Sequence, residues 1–75
     1  LHATLHQSIT VTASALRITV LLDIVPDEEN PYALLSAHDD TGELMAEVRV
    51  APSFKLGRAS AVAWAENGFG KPAGQ

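Results

Sequence analysis

Cysteine is absent from this 75-residue chain. Its absence excludes disulfide bonds and thiolate metal sites, both of which commonly stabilise small domains. A chain this short buries only about 60% of its unfolded surface on folding, which leaves a small margin of stability. Packing against another chain is the remaining support. We therefore expect a single domain that oligomerises.

Basic residues are scarce. The chain has five Lys and Arg against nine Asp and Glu, a formal net charge of −4 and a pI near 5.1. The basic residues are scattered along the chain: Arg17, Arg49, Lys55, Arg58 and Lys71. Proteins that bind nucleic acid normally carry a basic stripe, so we expect no direct nucleic-acid partner.

Long apolar runs are also missing. The run from Ile18 to Val25 is interrupted by Asp23 and is too short to cross a bilayer. We see no basic segment followed by an apolar one that would indicate a signal peptide, so a cytoplasmic location and no membrane partner are expected. The chain begins with Leu1 in place of Met, which keeps open the possibility of a fragment or accessory domain of a larger protein.

What is present indicates a globular protein with some uncovered apolar surface. Apolar residues make up 47% of the chain, too many for a disordered segment. Charged residues make up 19%, below the usual ~25%. A small domain with so little charge leaves apolar surface exposed, which favours an interface.

The first half of the chain predicts two strands, over residues 8–13 and 16–25. Ile9, Val11 and Ala13 alternate with polar residues, and from Leu16 onward the apolar positions become even-numbered. Because this change of parity rules out one regular strand, Ser14-Ala15 must form a tight turn or a bulge. Ser-Ala is not a favoured two-residue turn, so a bulge or a slightly longer turn is at least as well supported.

A β-hairpin is the clearest feature of the sequence. Strands over 32–38 and 43–51 flank Asp39-Asp40-Thr41-Gly42, which is typical of a type I turn closed by a left-handed glycine. In this hairpin Ala33, Leu35 and Ala37 should lie beside Leu44, Ala46 and Val48. Pro26 and Pro31 bracket an acidic loop before it.

Residues 58–67 predict a helix. They are rich in alanine and contain neither proline nor glycine. Gly68 suits the left-handed position after the helix, and Phe69 can then pack back on its last turn. Although Gly68-Phe69-Gly70-Lys71 has glycines near a lysine, it follows the helix, so a helix cap is favoured over a phosphate-binding loop.

The predicted fold is therefore α+β, a small antiparallel sheet of three or four strands with one C-terminal helix packed on one face. Residues 1–75 form a single domain, with loose ends at 1–7 and 70–75. No family resemblance is evident.

Two groups of polar residues are weak candidates for chemistry. His2 and His6 have the spacing of a helical metal pair, but solvated histidines near a chain end are favoured. His38 beside Asp39 and Asp40 suggests an acid–base pair, but the aspartates are better explained by the turn. We expect no metal and no cofactor.

Surface residues give the stronger functional expectation. Trp64 is either the central core anchor or an interface anchor, and the predicted interface consists of Trp64, Phe69 and Tyr32. The acidic loop residues Asp27, Glu28 and Glu29 would select a basic partner, although they also suit an ordinary solvated loop.

The leading hypothesis is a non-enzymatic protein–protein interaction module that self-associates through apolar surface, with an open strand edge as an additional contact. The alternative is a small enzyme or enzyme subunit that uses His38 with Asp39 or Asp40.

Overall fold

A computed structural model of the chain describes residues 6–26 and 29–73. The elements run in the order β1 (His6–Ala13), β2 (Leu16–Val25), β3 (Tyr32–His38), β4 (Leu44–Val50) and α1 (Arg58–Glu66). The predicted α+β class is confirmed: an antiparallel sheet carries one C-terminal helix on one face. β1 begins two positions before its predicted start, and the helix ends one residue early.

The sheet is a four-stranded meander in the order β1-β2-β3-β4. One face carries the apolar side chains of all four strands, including Val11, Val20 and Leu35, each at most 2% exposed. The other face carries the alternate residues, and we call it the open face because no described element packs on it. One-sided burial of this kind is common in antiparallel sheets.

A tight turn joins β1 to β2. Ala13 pairs with Leu16, so the turn consists only of Ser14 and Ala15, with φ of +51° and +64°. Of the alternatives that the parity change left open, the structure thus has the tight turn and not the bulge or longer loop. Positive φ at both positions is the type I′ requirement, which matches the twist of the flanking strands although neither residue is glycine.

The second hairpin closes as predicted. Gly42 has φ of +87°, its N–H donates to the carbonyl of Asp39, and the N–H of Asp39 donates to Glu43. The side chain of Asp39 adds further hydrogen bonds within the turn. Turn chemistry and strand pattern agree here, which is why this hairpin could be placed from sequence.

One detail of the hairpin differs from the prediction. Ala37 pairs with Ala46, but His38 pairs with Leu44, so Leu44 and Met45 together oppose one residue of β3. This β-bulge removes Leu44 from the row of core side chains, and it is 53% exposed. Ala46 and Val48 lie beside β3 as expected.

The helix is positioned over β1, the first edge strand. The segment 51–57 leads from β4 to α1, and its Phe54 is buried in the core with Ala61 and Trp64 of the helix. Gly57 is the N-cap, and its N–H donates to the hydroxyl of Ser60 at 2.9 Å. Within the described residues, no helix is long and apolar enough to span a membrane.

Candidate interaction surface

Trp64 lies in the core. Only 2% of its surface is exposed, and its ring meets Phe69 edge-on at 5.0 Å between centroids. Phe69 is brought there by the helix end: its N–H donates to the carbonyl of Trp64, and that of Gly68 donates to Ala65. These two bonds form the Schellman motif that Gly68 predicted. The sequence left Trp64 as either a core anchor or an interface anchor, and its burial matches the core anchor.

The indole also holds the segment after the helix. Its Nε1–H donates to the carbonyl of Gly70 at 2.7 Å, and Pro72 is buried. Residues 70–73, expected to be a loose end, are thereby attached to the core.

Tyr32 lies on the opposite face of the sheet from Trp64 and Phe69. It is half-buried on the open face, and the guanidinium carbon of Arg49 is 4.0 Å from the centre of its ring. That distance is within the range of a cation–π contact. The structure therefore does not bring the three predicted interface residues together on one surface.

The acidic loop is described only in part. Asp27 and Glu28 lie outside the described residues, while Glu29 is exposed. Selection of a basic partner by these three residues stays a prediction.

Asp39 is engaged by its own turn. Its Oδ1 accepts hydrogen bonds from the Thr41 hydroxyl at 2.6 Å and from the backbone N–H groups of Thr41 and Glu43 at 2.9 Å. The Thr41 hydroxyl, followed by the Glu43 N–H, holds the pKa of Asp39 below its usual value of 3.8. A carboxylate stabilised in this way is a poor proton acceptor.

His38 has a different polar neighbour from the one expected. Its Nε2 lies 3.2 Å from the hydroxyl of Ser36, which is 6% exposed. His38 also lines an open depression of about 370 Å³ with Arg17, Asp39 and Asp40. A catalytic Ser-His pair needs a third group, commonly a carboxylate, that orients the imidazole. Among the described residues, no carboxylate bonds to the His38 ring.

Of the two histidines that were a weak metal candidate, the structure describes only His6. His2 lies outside the described residues, and His6 in β1 bonds to Asp23 in β2, with 2.5 Å between Nδ1 and Oδ1. No group of three or more metal-binding side chains exists within residues 6–26 and 29–73.

The two edges of the sheet differ in how they are protected from pairing with other strands. The β4 edge carries the bulge at Leu44 and Met45 and two charged residues, Glu47 and Arg49. Bulges and charges are two of the devices that natural proteins use to prevent edge-to-edge association.

The β1 edge has neither device. Its eight residues contain no Lys, Arg, Asp, Glu or Pro and are paired without a register shift. The residues that flank a two-residue turn, here Ala13 and Leu16, form a hydrogen-bonded pair, and such pairs alternate along the strand. The backbone N–H and C=O groups of Ala13, Val11 and Ile9 therefore point toward β2. The N–H and C=O groups of Ser8, Thr10 and Thr12 therefore point away from the sheet, and no described strand pairs with them.

The helix above this edge contributes a mixed apolar and charged surface. Val62 and Ala65 are only partly buried, as is Ile9 in β1. The other flank of α1, with Ser60 and Ala63, lies near Pro72 and the connecting segment. Arg58 and Glu66, the first and last residues of the helix, are exposed.

The exposed apolar residues at the turns form a second surface. Leu16 and Met45 line a depression of about 220 Å³ with Ala15, Arg17 and Asp40. Leu16, Leu44 and Met45 are the large hydrophobic residues that the described part of the chain exposes, at 53%, 53% and 39%. The low charge content predicted uncovered apolar surface but not its location.

Sequence reasoning did not single out Ser8, Thr10 or Thr12. The available signal was the lack of Asp, Glu, Lys and Arg before residue 17, which shows its meaning only once β1 is known to be an edge strand. In comparisons with protein-family models, curated proteins and solved structures, nothing matches this chain. Function therefore has to be inferred from the surfaces themselves.

Proposed function

We propose that the protein is a non-enzymatic interaction module that self-associates. The carrying observation is the β1 edge: three residues of this strand, which has no Lys, Arg, Asp or Glu, direct backbone donors and acceptors away from every described strand. Addition of a strand at such an edge forms a ladder of main-chain hydrogen bonds without any change of fold. The contrast with the bulged and charged β4 edge supports a specific use for β1.

Size supports the same proposal. Within residues 6–26 and 29–73, twelve buried apolar residues form the core, and four of them are alanines: Ala13, Ala33, Ala37 and Ala61. Alanine buries little area, so the core contributes little stability per residue. Association adds stability by mass action because only the folded state presents the edge.

Sedimentation equilibrium over low to high micromolar concentrations tests the proposal. We expect reversible dimerisation, and Thr10→Lys should weaken it at least about tenfold, because two lysines would meet at the edge. Ala63→Lys is the matched control, since Ala63 is exposed on the other flank of α1. A wild-type chain that stays monomeric throughout would overturn the proposal.

Catalysis is the competing proposal, and the Ser36–His38 pair is the observation that favours it. Hydrolysis of an activated ester by the wild-type chain, abolished in His38→Ala and in Ser36→Ala, would support it. Equal background rates for all three chains would remove it. Dimerisation is expected to be unchanged in His38→Ala, because His38 is in β3 and away from the β1 edge.

A further inference from the structure

The charges of α1 are placed against its dipole. Arg58 is the first residue of the helix and Glu66 the last, and the first turn has no acidic residue and the last no basic one. The positive N-terminus of a helix favours acidic side chains and the negative C-terminus favours basic ones. Both side chains are exposed, and neither has an ion-pair partner within the described residues.

A second copy of the helix, packed antiparallel to the first, would offset the unfavourable interaction of Arg58 and Glu66 with the helix dipole. Arg58 and Glu66 are symmetric about Val62, the middle residue of α1. Two antiparallel helices related by a two-fold axis near Val62 place Arg58 of each beside Glu66 of the other. Each charge then also lies beside the helix end of opposite sign in its neighbour.

The same two-fold axis fits the strand edge. A dimer axis normal to the sheet makes the two β1 strands antiparallel and keeps both helices on the same side. An axis at Thr10 pairs the two Thr10 residues with each other and Ser8 with Thr12, so the outward backbones of these residues bond to one another. The segment 52–56 that precedes α1 lies beside Gln7, so the helix starts near the beginning of β1.

We propose that the partner at the β1 edge is a second copy of this chain, joined by antiparallel β1 strands and by two Arg58–Glu66 ion pairs between the α1 helices. This inference rests on the proposed self-association and adds its symmetry and its contacts. In this arrangement the flank of α1 with Val62 and Ala65, both only partly buried, faces the second copy, and these small side chains permit close approach of the helices. The result is a continuous eight-stranded sheet.

Charge reversal tests the arrangement. Arg58→Glu places two Glu–Glu contacts in the homodimer, and Glu66→Arg places two Arg–Arg contacts. Each variant should dimerise roughly tenfold more weakly than the wild type. A 1:1 mixture of the two variants should recover dimers, since every contact in the heterodimer is again a pair of opposite charges.

Native mass spectrometry distinguishes the heterodimer because the two variants differ in mass, and sedimentation gives the dissociation constants. The doubly reversed chain, R58E with E66R, should dimerise like the wild type. If the wild type dimerises while both single variants dimerise equally well, the helix contact is wrong but self-association stands. A monomeric wild type would overturn both.

The absence of cysteine allows a second, independent readout. Thr10→Cys should form a covalent dimer under mild oxidation, because the two Thr10 residues lie close to the axis. Glu47→Cys, on the β4 edge, is the matched control and should not. Crosslinking through Glu47→Cys instead would assign the interface to the other edge and overturn the inference.

Discussion

The indole N–H of Trp64 donates to the backbone carbonyl of Gly70, six residues further along the chain, over 2.7 Å. The bond attaches the segment after α1 to the side chain that fills the core. Trp64 thereby unites two functions, bulk in a core rich in alanine and a polar bond that orders residues 70–73.

Trp64→Phe should lower the free energy of unfolding by about 1–3 kcal/mol, because the ring becomes smaller and the Gly70 carbonyl loses its donor. Urea denaturation followed by far-ultraviolet circular dichroism measures the change. Ala63→Ser, at an exposed position of the same helix, is the control and should stay within about 0.5 kcal/mol of the wild type. Equal stability of Trp64→Phe and the wild type would contradict the anchoring role.

The turn between β1 and β2 offers a stabilising change. Ala15 has φ of +64°, a conformation that costs an L-residue about 1–2 kcal/mol. Glycine removes this strain, but it also increases the entropy of the unfolded chain, which offsets part of the gain. We expect Ala15→Gly to raise the free energy of unfolding by about 0.5–1 kcal/mol. Gly42→Ala is the reverse control: the added Cβ meets no atom within 4 Å, so the loss of about 1 kcal/mol reports backbone conformation alone.

The bonds to Asp39 predict a dependence of stability on acid. The pKa of this carboxyl is lower in the folded chain than its usual value of 3.8, so its contribution is fully present above that value and is lost as the pH falls through the folded pKa. Thermal unfolding of the wild type and Asp39→Asn between pH 2 and 6 tests this. The two curves should be furthest apart above about pH 4 and converge in stronger acid. A constant separation would mean that the carboxylate charge adds nothing to the turn.

Arg58→Glu should change the stability of the monomer and of the dimer in opposite directions. At concentrations low enough to keep the chain monomeric, an acidic residue at the helix N-terminus should raise the free energy of unfolding by about 0.3–1 kcal/mol. At high concentration the wild type should regain the advantage through dimerisation. Melting temperatures measured across a hundredfold concentration range should therefore cross. Parallel lines would argue against any role for Arg58 in association.

Local chemistry explains which features could be predicted from the sequence. Gly42 and Gly68 supply the left-handed conformations that a hairpin and a helix end require, and both have positive φ in the structure. The alternation of Ala33, Leu35 and Ala37 placed one face of β3 in the core. Each of these inferences depends on residues a few positions apart, and the local preference agrees with the final fold.

Long-range packing decided the rest. Ser14 and Ala15 adopt an unfavourable turn because all of β1 pairs with β2, from Ala13 with Leu16 to His6 with Asp23. Leu44 leaves the core row because of a bulge that no local signal marks. Trp64 is buried because α1 lies over β1, and that placement depends on the path of residues 51–57 across the sheet.

The sequence by itself therefore determined the elements, the hairpin at Asp39 to Gly42 and the helix cap, because turn residues and side-chain periodicity act over a few positions. Only the tertiary structure decided that β1 is an edge strand and that α1 lies over it. The lack of Lys, Arg, Asp and Glu in β1 has a functional meaning only at an edge, and the reversed charges of Arg58 and Glu66 only on a helix above that edge. Both positions result from contacts between residues far apart in the chain.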